Sequence, residues 1–337
     1  MNLENVIFKA LVVRQTDSGL FHRSIEQRRV EDLPVGDVLV SVQYSSLNYK
    51  DALSASGNRG VTKKFPHTPG VDAAGVIAWS RDPAFQPGME VVVSGYDLGM
   101  NTSGGFGQYI RVPSGWVLPK PDILTLLQSM QIGTAGFTAA QCVSAIIESG
   151  VESAAGPVLV TGATGGVGSI AIALLSQCGY RVIAVTGKES EYPFLKKLGA
   201  EDCLSRKQLS LGSDRLLLRE RWAGIVDSVG GAMLASAIKA TQYGGTVTCC
   251  GNAMSGDLPI NVYPFILRAV RLIGIDSAQC PMERRKRIWE KLAGSWKIPL
   301  LDEMSRTVTL NELDASIQQM LRGGSRGRVI IDLQEDA

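Results

Sequence analysis

The chain has 337 residues, enough for two domains with separate cores, because single cores stop growing near roughly 250 to 300 residues. Its 34 basic residues against 32 acidic ones leave a formal net charge of +2, which offers no field to nucleic acid or an anionic membrane surface. No run approaches the roughly 18 uninterrupted apolar residues of a membrane span, and charges interrupt the opening residues where a secretory signal would have its apolar core, so a soluble, cytoplasmic protein is expected.

From residue 8 to about 120 the text is strand-like and turn-rich: FKALVVRQ, DVLVSVQYSSL, VDAAGVIAW, MEVVVSGY and QYIRV are β-branched runs separated by Pro, Gly and Asp clusters. Helical spacing takes over near PKPDILTLLQSMQIGTAGFTAAQC, with Pro119 to Pro121 as a joint. Strands and helices then alternate: VLVTG, RVIAVTG, EDCLS, GIVDSVG, GGTVTCCG and RLIGI are the strands, which predicts a parallel sheet with helices on both faces. The tail holds a helix, LNELDASIQQML, and a last strand, RVIIDL, that is expected to return to the first domain. The predicted division is 1–127 with 304–337 against 128–303. The six cysteines are scattered, several in apolar contexts where Cys acts as a small hydrophobe, and reduced thiols are expected.

Within VLVTGATGGVGSIAIALL, Gly166 to Ala171 fits G-x-G-x-x-A, preceded by a strand and followed by a helix. Such glycines let the backbone approach a pyrophosphate at a helix N-terminus. No Lys follows them, so the loop is not that of an ATPase. The second strand ends in Thr186-Gly187-Lys188, where an NAD site would place an acidic residue on the ribose. A hydroxyl, a small residue and a cation suit a 2′-phosphate, and Arg206 follows the third strand, so NADPH is the expected cofactor. Glu189 and Glu191 follow at once and leave a ribose contact open. Tyr192 and Lys196 have the Tyr-x-x-x-Lys spacing of short-chain dehydrogenases but sit at the adenosine end, so the match is read as coincidence.

PGVDAAG (69–75) stands where zinc alcohol dehydrogenases carry a metal-binding His-Glu pair, and SSLNYKD (45–51) lacks their Cys ligand. With His22 and His67 as the only histidines, no zinc site is expected. SSLNYKDAL, FPHTPGVDAAG, IGTAGFTA, VTGATGGVGS, YPFLKKLGA, PFILRAVRLIGIDS and GRVIIDL run through both halves of the chain. On these segments the chain resembles the zinc-free medium-chain dehydrogenase/reductases, in the YhdH/YhfP quinone oxidoreductase group that includes acrylyl-CoA reductase. The resemblance implies an α/β fold: a GroES-like β-rich catalytic domain, a Rossmann NADPH-binding domain, and an active site in the cleft between them. It also implies cofactor contacts at Tyr49, Thr164, Gly165, Gly166, Val167, Thr186, Gly187, Lys188, Arg206, Phe265, Ile266, Asp276, Ser277 and Arg328. Relatives often carry Arg where this chain has Lys188, which keeps the charge and loses bidentate geometry.

Reducing an α,β-unsaturated thioester requires hydride at the β-carbon, a donor to the enolate oxygen and a proton at the α-carbon. Without metal, hydrogen-bond donors must serve, and Asn48, Tyr49 and Asp51 are the expected catalytic cluster, beside Lys50. Tyr49 is read equally as a proton or enolate donor and as a ring packed over the nicotinamide; Asp51 is read as an orienting partner. Asp72 is expected to be buried and structural. Arg284 and Arg285 open the one dense basic run; a solvated helix face is its plainer reading, and a clamp for coenzyme A phosphates the sharper one. The expected reaction is NADPH-dependent reduction of a short enoyl-CoA, acrylyl-CoA to propionyl-CoA. An NADPH:quinone or enone reductase and a non-catalytic NADPH-binding sensor are the alternatives. A homodimer is expected, with a small-molecule substrate and no nucleic acid or membrane partner.

Overall fold

The structure, a computed structural model, describes residues 6–334. The chain divides into two compact units. One runs to Thr134 and takes back Ala278–Gly294 and the chain from Leu301 onward; the other holds Ala135–Ser277 and Ser295–Leu300.

In the first unit β1 (Ile7–Gln15) and β2 (Phe21–Arg29) pair antiparallel along their whole length. A seven-stranded sheet contains β3 (Val38–Leu47), β4 (Asp72–Ser80), β5 (Glu90–Ser94), β6 (Tyr109–Val112) and β7 (Val117–Pro119). Alternate residues of β3, Val38, Val40 and Val42, enter its core with Val91, Val93, Ile110 and Leu47. Helix α1 (Tyr49–Ala55) follows β3 directly, and α2 (Leu126–Glu148) carries the chain into the second unit. By length and composition α2 would pass for a membrane span, yet 94% of that window is buried, as in a core helix.

The second unit has a parallel sheet of β8 (Val158–Val160), β9 (Val182–Thr186), β10 (Asp202–Ser205), β11 (Trp222–Asp227), β12 (Thr241–Cys249) and β13 (Arg271–Gly274), in the order β10-β9-β8-β11-β12-β13. Counted along the chain this is 3-2-1-4-5-6, the doubly wound dinucleotide-binding order, whose switch point lies between β8 and β11. Helix α3 (Gly166–Gln177) leaves the end of β8.

The tail completes the first unit. β14 (Ser305–Val308) pairs with β15 (Arg328–Asp332), and β15 lies antiparallel to β3 with Val329 opposite Leu47. The partition departs from the sequence expectation at three places, 128–134, 278–294 and 301–303, all of which fall in the β-rich unit. Residues 128–134 belong to the β-rich unit because Thr134 donates both its amide and its hydroxyl to Asp72. The helix Met282–Ala293, expected in the nucleotide domain, belongs to the same unit because Arg285 bonds Ser94 and Tyr96 N bonds Ala278 O.

Two backbone exceptions serve this architecture. Gly133 breaks α2 with φ 48°, and a Cβ there would meet Arg328 Nη2 and Ser46 Oγ at 2.7 Å and Asp72 Oδ2 at 2.8 Å. Tyr96, just past β5, is held at φ 51° without being glycine; such a conformation costs about 1–3 kcal/mol.

Candidate functional site

In the nucleotide unit the loop after β8 is shaped by its glycines. Gly162 has φ 59°, and a Cβ on Gly168 would stand 2.4 Å from Gly162 O and 2.8 Å from Ala163 Cα, so no side chain fits there. Ala163 N bonds Val185 O at 3.1 Å, tying the loop to β9. Helix α3 starts after Gly165 with no side-chain cap, so its first-turn amides are free to meet an anion. Thr164 is buried; Gly165, Gly166 and Val167 form the turn into the helix.

At the end of β9 the Thr186 hydroxyl accepts from Lys188 N at 3.1 Å. A Cβ on Gly187 would come within 2.9 Å of Arg206 Nε, so the guanidinium lies across this glycine. Partial burial pushes the Lys188 ammonium below its ordinary value; Glu191 opposes this and the Arg206 charge adds to it. Two cations held together at the expected ribose position fit a 2′-phosphate. Phe265 packs on the core of this unit, Ile266 beside it is exposed, and Asp276 and Ser277 follow β13.

In the β-rich unit the expected catalytic cluster separates into one open side chain and a buried network. Tyr49 is 38% exposed at the start of α1. Asn48 is fully engaged: its amide nitrogen donates to Ser46 O (3.2 Å) and Asp72 Oδ2 (2.8 Å), and its side-chain oxygen accepts from Arg328 Nη1 (3.1 Å). Asp51 accepts from Asn48 N at 2.8 Å and from Val71 N at 2.9 Å, which pins the first turn of α1. Asp72 accepts from Ser46 Oγ (2.6 Å), Thr134 N (2.9 Å) and Thr134 Oγ1 (2.7 Å), with Arg328 Nη2 at 3.8 Å. Arg328 also donates to Gln131 O at 3.1 Å and Ser46 Oγ at 2.7 Å.

Two expectations are corrected. The Arg328 side chain is 2% exposed and spent on this network rather than presented to a cofactor. Arg285 is 1% exposed, bonded to Ser94 Oγ at 3.0 Å and lying over the Tyr96 ring, so it is no clamp for a substrate phosphate. A signal for this was present: Arg285, Ile288, Trp289 and Leu292 share the buried face at helical spacing. Arg284 remains half-buried in the same helix. Ser46 and Thr134 had not been anticipated, because nothing local links Thr134 to a carboxylate so distant in sequence.

Burial, with the Asp72 charge adding to it, pushes the Asp51 carboxyl up to about 7 against the pull of its two backbone donors and Lys50. A raised carboxyl binds its proton more tightly when folded than the unfolded value of about 3.9 allows. Its stabilising contribution is therefore complete below about pH 4 and lost as pH rises toward 7. Denaturant titrations of wild type and Asp51→Asn from pH 4 to 8 should show the variant gaining on wild type by a few kcal/mol across that window; a constant gap would rule out the shifted carboxyl.

Two family models match the chain: the alcohol dehydrogenase GroES-like domain over residues 34–122 and the zinc-binding dehydrogenase domain over residues 166–293. Acrylyl-CoA reductase AcuI of Ruegeria pomeroyi is 42% identical over 328 residues, covering 97% of this chain and 99% of that protein. The yhdH oxidoreductase from Salmonella enterica, solved in complex with NADP, superposes with TM-score 0.93 at 40% identity, covering 96% of this chain and 99% of that one. Bacillus subtilis protein yhfP, solved with NAD bound, gives 0.94 at 40% identity over 98% and 100%. Among the described residues no three His, Cys, Asp or Glu converge, and His67 is buried with Nε2 on Gly99 O at 2.9 Å. A GroES-like β domain, a 3-2-1-4-5-6 parallel sheet with a glycine loop at its switch point, and near-full-length identity of this order place the chain in the medium-chain dehydrogenase/reductase family, in the group of AcuI, YhdH and YhfP.

Proposed function

We propose that the protein uses NADPH to reduce the activated double bond of a short enoyl-CoA, acrylyl-CoA to propionyl-CoA. The observation that carries this reading is the 42% identity to AcuI across 97% of the chain. The cofactor assignment draws on the α3 N-terminus, which receives the pyrophosphate, and on Lys188 and Arg206, which receive the 2′-phosphate.

Bound NADPH supplies the hydride that goes to the substrate β-carbon. Tyr49 gives its phenol proton to the α-carbon and regains one from water, which its exposure permits. Asn48, Asp51, Asp72 and Arg328 touch neither reactant; they fix the turn that carries Tyr49. With its carboxyl raised to about 7, Asp51 is neutral in a large fraction of molecules near pH 7, which spares a developing enolate a full negative neighbour. Arg284 is the remaining candidate for a coenzyme A phosphate. The exposed β13 edge, with Leu272 and the neighbouring Ile266 and Leu267, suits pairing with a second copy, and six cysteines joined in no disulfide suit a reducing cytoplasm.

The test is NADPH oxidation by the purified protein with acrylyl-CoA, crotonyl-CoA and a small quinone, repeated with NADH. The expected result is the highest kcat/KM with acrylyl-CoA and a clear preference for NADPH. Turnover of the quinone alone would make it a quinone reductase, and NADPH binding without oxidation would make it a sensor.

A further inference from the structure

The strained residue past β5 has no task in the reading above. Tyr96 is one of two non-glycine residues with positive φ among the described residues, and its amide donates to Ala278 O at 2.9 Å. Its ring lies parallel to Trp116, with centroids 5.4 Å apart and planes within 4°. The Arg285 guanidinium stands 4.7 Å from its centroid and is itself fixed by Ser94 Oγ at 3.0 Å and Ala278 O at 3.2 Å. Strained backbone persists only where its surroundings over-determine it, and such places gather at functional sites. Half-buried aromatic rings with a polar tip usually find that tip a partner. The Tyr96 hydroxyl has none among the described residues.

Backbone bonds join Tyr96 to the polar cluster. Ser94 is directly opposite Asp72 in the pairing of β5 with β4. Gly95 N donates to Val71 O at 2.9 Å, and Val71 N donates to Asp51 Oδ1 at 2.9 Å. Tyr96 and Tyr49 are thus carried by segments bonded to the two sides of one residue.

We propose that Tyr96 is a second substrate-contacting residue, whose hydroxyl donates a hydrogen bond to the carbonyl oxygen of the unsaturated acyl substrate, and that Arg285 is the positioning residue that holds its ring. This rests on the reductase reading given above. Hydride addition at the β-carbon places negative charge on that oxygen, and a donor fixed beforehand stabilises it with no reorganisation. Tyr96 keeps its proton throughout, so the reaction's two needs are divided: Tyr96 serves the oxygen and Tyr49 protonates the α-carbon.

The experiment compares wild type, Tyr96→Phe, Arg285→Lys and Arg285→Met in NADPH oxidation with acrylyl-CoA, alongside NADPH affinity by fluorescence and thermal melting. Tyr96→Phe should lose roughly 10²-fold in kcat, as when one oxyanion donor is removed. Its NADPH affinity and melting temperature should be unchanged, since the hydroxyl holds nothing in the fold. Arg285→Lys, which keeps a cation near the ring, should retain more kcat than Arg285→Met. A Tyr96→Phe enzyme as fast as wild type would overturn the proposal, as would a loss of kcat that simply follows a loss of thermal stability. Failure of the wild type itself to reduce any unsaturated acyl compound would instead bring down the reductase reading.

Discussion

Replacing Arg328 with methionine should lower the unfolding free energy by about 3–5 kcal/mol, the usual cost of removing one partner from a buried ion pair. Asp72 is fully buried, and its nearest cation is the Arg328 guanidinium at 3.8 Å. Methionine approximates the length of the side chain and returns none of its donors, so Gln131 O, Ser46 Oγ and the Asn48 side-chain oxygen each lose a bond. Most of the expected cost is the stranded carboxylate, not the pair's own attraction. Adding Asp72→Asn to Arg328→Met should therefore recover part of the loss, giving a coupling term that the single variants alone would not predict. Guanidinium denaturation of the wild type, both single variants and the double variant provides the cycle. A loss under about 1 kcal/mol for Arg328→Met would mean that the guanidinium is not the counter-ion of Asp72 in solution.

The second large effect is expected at the end of β9. Lys188→Ala combined with Arg206→Ala should raise the KM for NADPH by at least one order of magnitude, since hydrogen bonds to charged groups contribute about 1.5–3 kcal/mol each. NADH lacks the 2′-phosphate and should be used as before. The two substitutions are not expected to add, because each cation already disfavours the other: Arg206 helps to push the Lys188 ammonium down. Lys188→Arg should tighten NADPH by restoring two-point geometry, provided that Glu191 does not capture the new guanidinium. Steady-state kinetics with both cofactors is the measurement, and equal losses with NADPH and NADH would move the phosphate site away from these residues.

Some of this molecule is written locally. The glycine loop was legible because every constraint on it acts within a few residues: Gly168 must lack a side chain to pass Gly162 O, and α3 must begin where β8 ends. The alternation of short apolar strands with helices likewise specifies a doubly wound sheet, and Thr186-Gly187-Lys188 marks its strand end, because strand, turn and helix each have their own residue chemistry.

The polar cluster is a different case. Asn48 and Asp51 were visible as polar residues after a strand, yet their roles depend on Asp72, Thr134 and Arg328, which come from β4, the break in α2 and the last strand. No periodicity connects those positions; pairing of β15 with β3 brings Arg328 beside Leu47, and Gly133 leaves room for it. Arg285 shows the same limit from the other side: a basic run looks solvated until a neighbouring ring and a buried hydroxyl give one of its members a reason to turn inward. The sequence by itself determined the sheet and the nucleotide loop, since these rest on short-range sterics and on the burial of apolar faces, and it carried the family as a resemblance along segments of both halves. Which polar groups are free to act and which are consumed in holding the fold was decided only by the tertiary structure, because a buried charge is stable only where distant partners meet it.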